Sequence, residues 1–391
     1  MISIGLFTYS SKPRGSVVHA ACLAEALARR GANVTLYALS KPGDAFYREL
    51  SCALRLIPAG PAPNETDSLI RQRVREFQHG LLALTPRHSI YHAEDCLAAN
   101  ALVAAREQLG HARIVRTVHH VEQFESPYLS ACQERSVAGA DLVLSVSEAT
   151  RRDVERAFGR AAPVISNGVD WQRFASPVGE PERRLAERLG LLPGDTLIAS
   201  IGGVEARKNS LAALEAVARA FAVQPNLRWV IAGGASIWQH PEYVAAFAAR
   251  LSTLPAALRA RITVLGTVSE SELTALYKLS SILLCPSLQE GFGLCVLEAM
   301  SAQSAVIVPR GAPFDEYLDG QSARFVDPRS PAEIAQALVG LLADPAARAT
   351  LGVRGQERAR RYSWDLVAER HLARYETLLR RADLLAEQPR T

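Results

Sequence analysis

Glu290 and Glu298 stand with seven residues between them, around the turn Gly291-Phe292-Gly293-Leu294. The turn follows a short apolar run, Ile282 to Cys285, which fits a strand buried on both faces. Pro286 and Ser287 end that run, and the two glycines permit tight backbone geometry before a helix expected from Leu294 to Ala302. A strand, a glycine turn and a helix N-terminus together offer free backbone N–H groups and the positive end of a helix dipole to an anion. Carboxylates beside such a site must face something else, and sugar hydroxyls are the candidate. The chemistry suggested is a ligand with a phosphate and several hydroxyls. The plainer alternative is a glycine turn of an ordinary α/β protein, with a solvated acid at the helix cap.

A second basic loop lies upstream. Gly202-Gly203-Val-Glu-Ala-Arg207-Lys208-Asn209 follows the apolar run Leu197–Ile201 and precedes a helix, Ser210–Ala222. Arg207 can clamp phosphate oxygens and Lys208 supplies a point charge. Lysine is rare here, present only at 12, 41, 208 and 278, so its position is informative. Arg113 to Glu122 ends a further strand with His119 and His120 at its carboxyl edge, where ligands bind in parallel sheets. A metal site from His119, His120 and Glu122 is discounted, because adjacent residues on extended backbone point apart. Tyr91-His-Ala-Glu-Asp95 closes another strand and could line the same end of the sheet.

Parallel strands alternating with helices must position these groups. Strand-like runs occur at Ile2–Thr8, Asn33–Leu39, Leu54–Pro58, Ser89–His92, Ile114–Val118, Leu142–Val146 and Val164–Ile165. They resume at Leu197–Ile201, Leu227–Ala232, Ile262–Leu265, Ile282–Cys285 and Ala305–Val308. Helical periodicity fills the gaps, as in Val17–Arg30, Leu69–Leu84 and Asp95–Leu109. The first strand leads through Ser10-Ser-Lys-Pro-Arg-Gly15-Ser16 into a helix carrying His19, another turn where glycine suits close approach of a charged ligand. Alternation of this kind implies parallel sheets covered on both faces.

At 391 residues two domains are the default. Apolar content of 48% and charged content of 21% describe a soluble globular chain, and a net charge of +4 against 44 basic residues excludes a nucleic-acid stripe. Six cysteines without a CxxC pair read as reduced core thiols of a cytoplasmic protein. The N-terminus has neither the basic nor the apolar region of a signal peptide, and no run reaches the ~18 residues of a membrane span. The basic helix Leu69–Leu84 could touch a membrane surface, but a domain helix with a solvated basic face is the preferred reading.

The order Glu290-Gly-Phe-Gly-Leu294 with Leu297-Glu-Ala-Met300 resembles the Glu-x7-Glu signature of retaining glycosyltransferase family 4, and the resemblance spans nearly the whole chain. It implies two facing Rossmann-like domains of GT-B architecture: an acceptor-side domain over 1–172, a nucleotide-sugar domain over 173–363, and a helix over 364–391 returning to the first. By resemblance Lys208 matches the phosphate-binding lysine, and Arg207 stands in for an arginine that many members carry where this chain has Gly203. Gly15 matches the N-terminal glycine loop, Gly266-Thr-Val268 the loop under the nucleotide base, and His119 the residue against the donor sugar. Glu298 would then hold ribose hydroxyls, and Glu290 the donor sugar. Ser166-Asn-Gly-Val-Asp170 resembles the motif closing the first domain, and Glu316 matches a family acid. The opening motif and the Gly202–Asn209 loop look like a branch found beside nitrilase-type genes. The expectation is a metal-independent hexosyltransferase without a cofactor, using a UDP- or GDP-linked sugar and an unidentified acceptor. A sugar-nucleotide epimerase or hydrolase, or a non-catalytic binding protein, are the alternatives.

Overall fold

The computed structural model describes residues 2–83, 87–110, 112–234 and 241–386. The chain divides into two compact units, Met1–Gly168 together with Trp364–Thr391, and Val169–Ser363.

The first unit is built on strands β1 (Ser3–Thr8), β2 (Asn33–Ser40), β3 (Ala53–Pro58), β4 (Ile90–Ala93), β5 (Arg113–Val118) and β6 (Leu142–Ser145), in the spatial order β3-β2-β1-β4-β5-β6. Every pairing is parallel. Central strands are buried along their length, as apolar runs without alternation require, whereas β3 at the edge is largely exposed. Phe7 stacks between Tyr37 and Tyr91, with centroids 4.7 and 5.9 Å away, and Phe77 meets it edge-on at 6.2 Å. Phe77 comes from the helix Thr66–Leu82, so that helix turns its apolar stripe inward. Of its arginines, Arg71 lies over the Tyr128 ring and Arg73 pairs with Glu76. Leu84, the expected end of that helix, lies outside the described residues.

The second unit repeats the plan with β7 (Thr196–Ile201), β8 (Leu227–Ala232), β9 (Ile262–Gly266), β10 (Ile282–Leu284), β11 (Ala305–Pro309) and β12 (Arg324–Val326), in the order β12-β11-β10-β7-β8-β9. Its core joins Ile198, Trp229, Ile282 and Ile307 to Leu214 and Val217 of the helix Ser210–Phe221 and to Ile334 and Leu338 of the helix Pro331–Ala343. One expectation is corrected and one strand was missed. Val164–Ile165 makes only an isolated bridge to Ser145, because the chain leaves the sheet edge at once. The short strand β12 was not anticipated, since Arg324-Phe-Val carries too little apolar pattern to stand out.

In each sheet the strand order reverses once, between β1 and β4 and between β7 and β10. At such a reversal the two connecting helices leave on opposite faces, which opens a crevice at the strand carboxyl ends. The last helix, Trp364–Ala386, belongs to the first unit. It packs along the helix Gly15–Arg29, with ion pairs Arg29–Asp365 and Arg30–Glu369 at 2.8 and 2.9 Å on the exposed rim. Expected over 364–391, it is described to Ala386, and residues 387–391 lie outside the described residues.

Candidate active site

The crevice of the second sheet brings the two sequence-marked loops together. The Lys208 ammonium donates to Glu290 Oε1 at 2.6 Å, and Arg207 Nη1 reaches Glu290 Oε2 at 3.3 Å. Ser287 Oγ donates to Glu290 as well, at 2.9 Å. Backbone and amide contacts bolt the loops to each other: Leu288 N–H donates to the Arg207 carbonyl at 2.8 Å, and Asn209 Nδ2 to the Pro286 carbonyl at 3.1 Å. Burial alone would raise the Glu290 pKa, yet Lys208 and Arg207 hold it below the usual carboxylate range. Burial likewise opposes the charge on Lys208, but Glu290 holds its pKa above the ordinary value. The site is therefore an anchored ion pair at neutral pH, with Arg207 on the exposed side.

Glycine is required here by geometry. Gly203 has φ +80°, and a Cβ there would lie 2.9 Å from the Gly233 carbonyl oxygen. Gly293 has φ +90°, and a Cβ would press on the Phe314 ring. Its left-handed backbone starts the helix Leu294–Ser301, which has no side-chain cap. Gly291 lies in the turn before it, and Phe292 is buried with its ring stacked on Tyr317 at 4.7 Å. Val268 sits between β9 and the helix Glu270–Leu279. Gly15 differs: it opens its helix with nothing where a Cβ would stand, so space rather than strain is what it leaves.

Glu298 lies within the helix Leu294–Ser301. Its carboxylate accepts from the Tyr277 hydroxyl at 2.6 Å, and burial raises its pKa. Tyr277 and Ser287 were not singled out in the sequence, because a buried tyrosine inside a helical stripe reads as core. Glu316 lies in a single turn of 3-10 helix, Phe314–Glu316.

In the first unit His119 and His120 diverge. His119 Nε2 meets Glu94 Oε2 at 3.0 Å, while His120 Nε2 pairs with Glu122 Oε1 at 2.9 Å. Asp95 caps the helix Cys96–Ala104 and also accepts from the Tyr9 N–H at 2.7 Å, which ties the ends of β1 and β4 together. Burial raises its pKa to about 6. Glu94 was named only within the strand-end run; its position immediately after β4 is the signal that could have singled it out.

Residues 13–173 match the family described as Glycosyltransferase Family 4, and residues 195–344 the family described as Glycosyl transferases group 1. The D-inositol 3-phosphate glycosyltransferase of Corynebacterium urealyticum is 26% identical over 382 residues, covering 91% of this chain and 88% of the relative. Among solved structures, sucrose-phosphate synthase from Thermosynechococcus elongatus superposes with TM-score 0.80 at 22% identity, covering 97% of this chain and 99% of that one. Anabaena HepE in complex with UDP-glucose superposes with TM-score 0.76 at 16% identity, covering 96% of this chain and 100% of that one. These structures share the two-domain α/β fold of GT-B type. With matched families covering most of both units, the chain belongs to glycosyltransferase family 4 and is a glycosyltransferase.

Proposed function

We propose that the protein is a retaining, metal-independent glycosyltransferase that moves a hexose from a UDP- or GDP-linked donor to an acceptor hydroxyl. The observation that carries the reading is the convergence of Lys208, Arg207 and Glu290 beside the uncapped helix start at Gly293, at the reversal of the second sheet. HepE, described in complex with UDP and with UDP-glucose, supports a nucleotide-sugar donor. No cofactor is assigned, the donor being a co-substrate.

In this reading the diphosphate takes Lys208 and Arg207 as partners, and the helix amides at Gly293 and Leu294 receive its remaining charge. Glu290, released from Lys208, holds hydroxyls of the transferred sugar, and Glu298 those of the ribose. Val268 and its neighbours meet the base through backbone groups, and Gly15 leaves room for the phosphates. His119 contacts the sugar. The acceptor hydroxyl attacks on the face the nucleotide leaves, and a phosphate oxygen takes its proton. The chemistry is placed in the cytoplasm, in keeping with six free cysteines. Among the described residues no helix is long and apolar enough to cross a membrane.

Thermal-shift measurement against UDP- and GDP-sugars and the free diphosphates tests the reading. A donor at about a hundred times its Kd contributes about 2.7 kcal/mol of apparent stability. Stabilisation by one base series, for both the sugar and its diphosphate, is expected. A panel in which no member raises the melting temperature contradicts the proposal. Consumption of the donor at full rate without any acceptor points instead to a hydrolase or epimerase.

A further inference from the structure

At the carboxyl ends of β4 and β5 the first unit encloses an ionisable cluster around Glu94, of which the proposed donor site uses only His119. The Glu94 side chain is wholly buried, and its Oε2 takes the contact from His119 Nε2 at 3.0 Å. His19 Nδ1 also lies 3.0 Å from Oε2, but off the line of a hydrogen bond, and neither ring nitrogen of His19 finds a hydrogen-bond partner among the described residues. Glu94 Oε1 lies 3.6 Å from His92 Nε2, likewise without a hydrogen bond. His92 is held by Tyr375 Oη at 2.6 Å and Thr117 Oγ1 at 2.7 Å, so it cannot swing toward Glu94. The His19 ring meets His119 edge-on at 4.9 Å and is backed by Trp364 at 5.2 Å.

The protonation states follow from these surroundings. Burial works against the charge of Glu94, yet the histidines around it hold its pKa well below the ordinary value. Burial takes His119 down to about 4, so its ring is neutral near pH ~7. A neutral imidazole carries one N–H, and an ionised carboxylate can only accept. The His119 proton is therefore assigned to Nε2, and Nδ1 keeps its lone pair.

We infer that Glu94 is a positioning residue for glycosyl transfer, locking His119 in the Nε2–H tautomer so that Nδ1 meets a substrate hydroxyl as an acceptor. This rests on the reading of His119 as a sugar contact. A hydroxyl that donates to Nδ1 satisfies the site, whereas a deoxy or O-methyl sugar leaves the nitrogen unpaired, which is how a buried polar group discriminates. His19, Glu94 and His119 also bring three metal-ligand atoms within 4.8 Å of one another. The hydrogen-bonded arrangement is preferred on two grounds. His119 Nε2 is already spent on Oε2, and His19 Nε2 lacks the outer acceptor on which metal-bound imidazoles rest.

Two-bond proton–nitrogen NMR of the full chain with labelled histidine reads the tautomer directly, and His119→Ala assigns the signal. The expected result is a single Nε2–H species near pH ~7, replaced in Glu94→Ala by an averaged tautomer pattern. Glu94→Gln keeps an acceptor and the side-chain shape, so it retains more of the lock if the truncation fails to fold. With UDP-glucose as probe and no acceptor, Glu94→Ala should lower the slow hydrolytic consumption of the donor by roughly ten- to a hundredfold and leave UDP affinity near that of the parent. Glu94→Gln should recover part of that loss. A parent His119 protonated on Nδ1 or on both nitrogens overturns the proposal. So does stoichiometric metal in the purified protein that disappears in Glu94→Ala. Unchanged consumption in His119→Ala, with the parent ring found as the Nε2–H tautomer, overturns the reading of His119 as a sugar contact and leaves the lock itself standing.

Discussion

Lys208 Nζ and Glu290 Oε1 meet at 2.6 Å across loops whose residues are 82 positions apart in the chain. Both side chains are mostly buried, at 14% and 9% exposure. Removing either leaves the other's charge without its main partner, a loss of about 2–4 kcal/mol after allowing for the remaining exposure. Lys208→Ala and Glu290→Ala should therefore be non-additive, with a coupling of about 1–3 kcal/mol in chemical denaturation. Strict additivity would mean that the contact contributes nothing to stability. Lys208→Ala should also weaken UDP by about 1.5–3 kcal/mol in calorimetry, because one charge-assisted phosphate contact is lost.

Glu290→Ala and Glu298→Ala should separate binding from turnover. Ribose is common to donor and product, so Glu298→Ala should weaken UDP. The sugar is present only in the donor, so Glu290→Ala should bind UDP nearly as the parent does and lower kcat. If both variants bind UDP and turn over as the parent does, the Glu290–Glu298 segment is only a capped helix.

The transferred sugar should keep its anomeric configuration, and activity should persist in excess EDTA. The basic pair and helix start can offset diphosphate charge without a divalent ion. Proton NMR of the first product formed, before mutarotation, reads the anomeric coupling. An inverted product would assign base catalysis to His119, whose Nδ1 lone pair could take the acceptor proton. Chelation that abolishes activity, with recovery on added magnesium or manganese, would show that a metal takes part.

Acid should weaken the first unit before it weakens the donor site. Burial lowers His92 and His119 to about 4 and His371 to about 3. Their folded pKa values lie below the unfolded one, so the stability they contribute is present above pH ~6.5 and lost as pH falls toward the folded values. Each costs about 1.4 kcal/mol per pH unit inside that window. Asp95, raised to about 6 by burial, works in the opposite direction, but it is one group against three. Glu94, held low, adds a further loss below about pH 4.5. The melting temperature should therefore fall from about pH 6.5 to 4.5, and His371→Leu should make the decline shallower. A flat profile across that window would contradict the buried neutral histidines.

What the sequence alone determined is local. Unalternating runs such as Ile282–Cys285 and Ala305–Val308 are strands because only a doubly covered parallel strand buries every side chain. Gly203 and Gly293 mark turns because their backbones have positive φ. His119 and His120 diverge just past the end of β5, one to Glu94 and the other to Glu122. Glu290 and Lys208 stood out because each lies in the loop after a recognisable strand, and Glu298 because it lies in the helix that follows the glycine turn. The tertiary structure alone decided who meets whom. β10 lies beside β7 although β8 and β9 intervene in the chain, and that adjacency places Glu290 against Lys208. Glu94 meets His119 and lies beside His19 only because β4 is inserted between β1 and β5, with Trp364 and Tyr375 of the last helix closing the cluster from behind. Strand order is chosen by the burial of whole apolar faces at long sequence separation, and no window of neighbouring residues carries that choice.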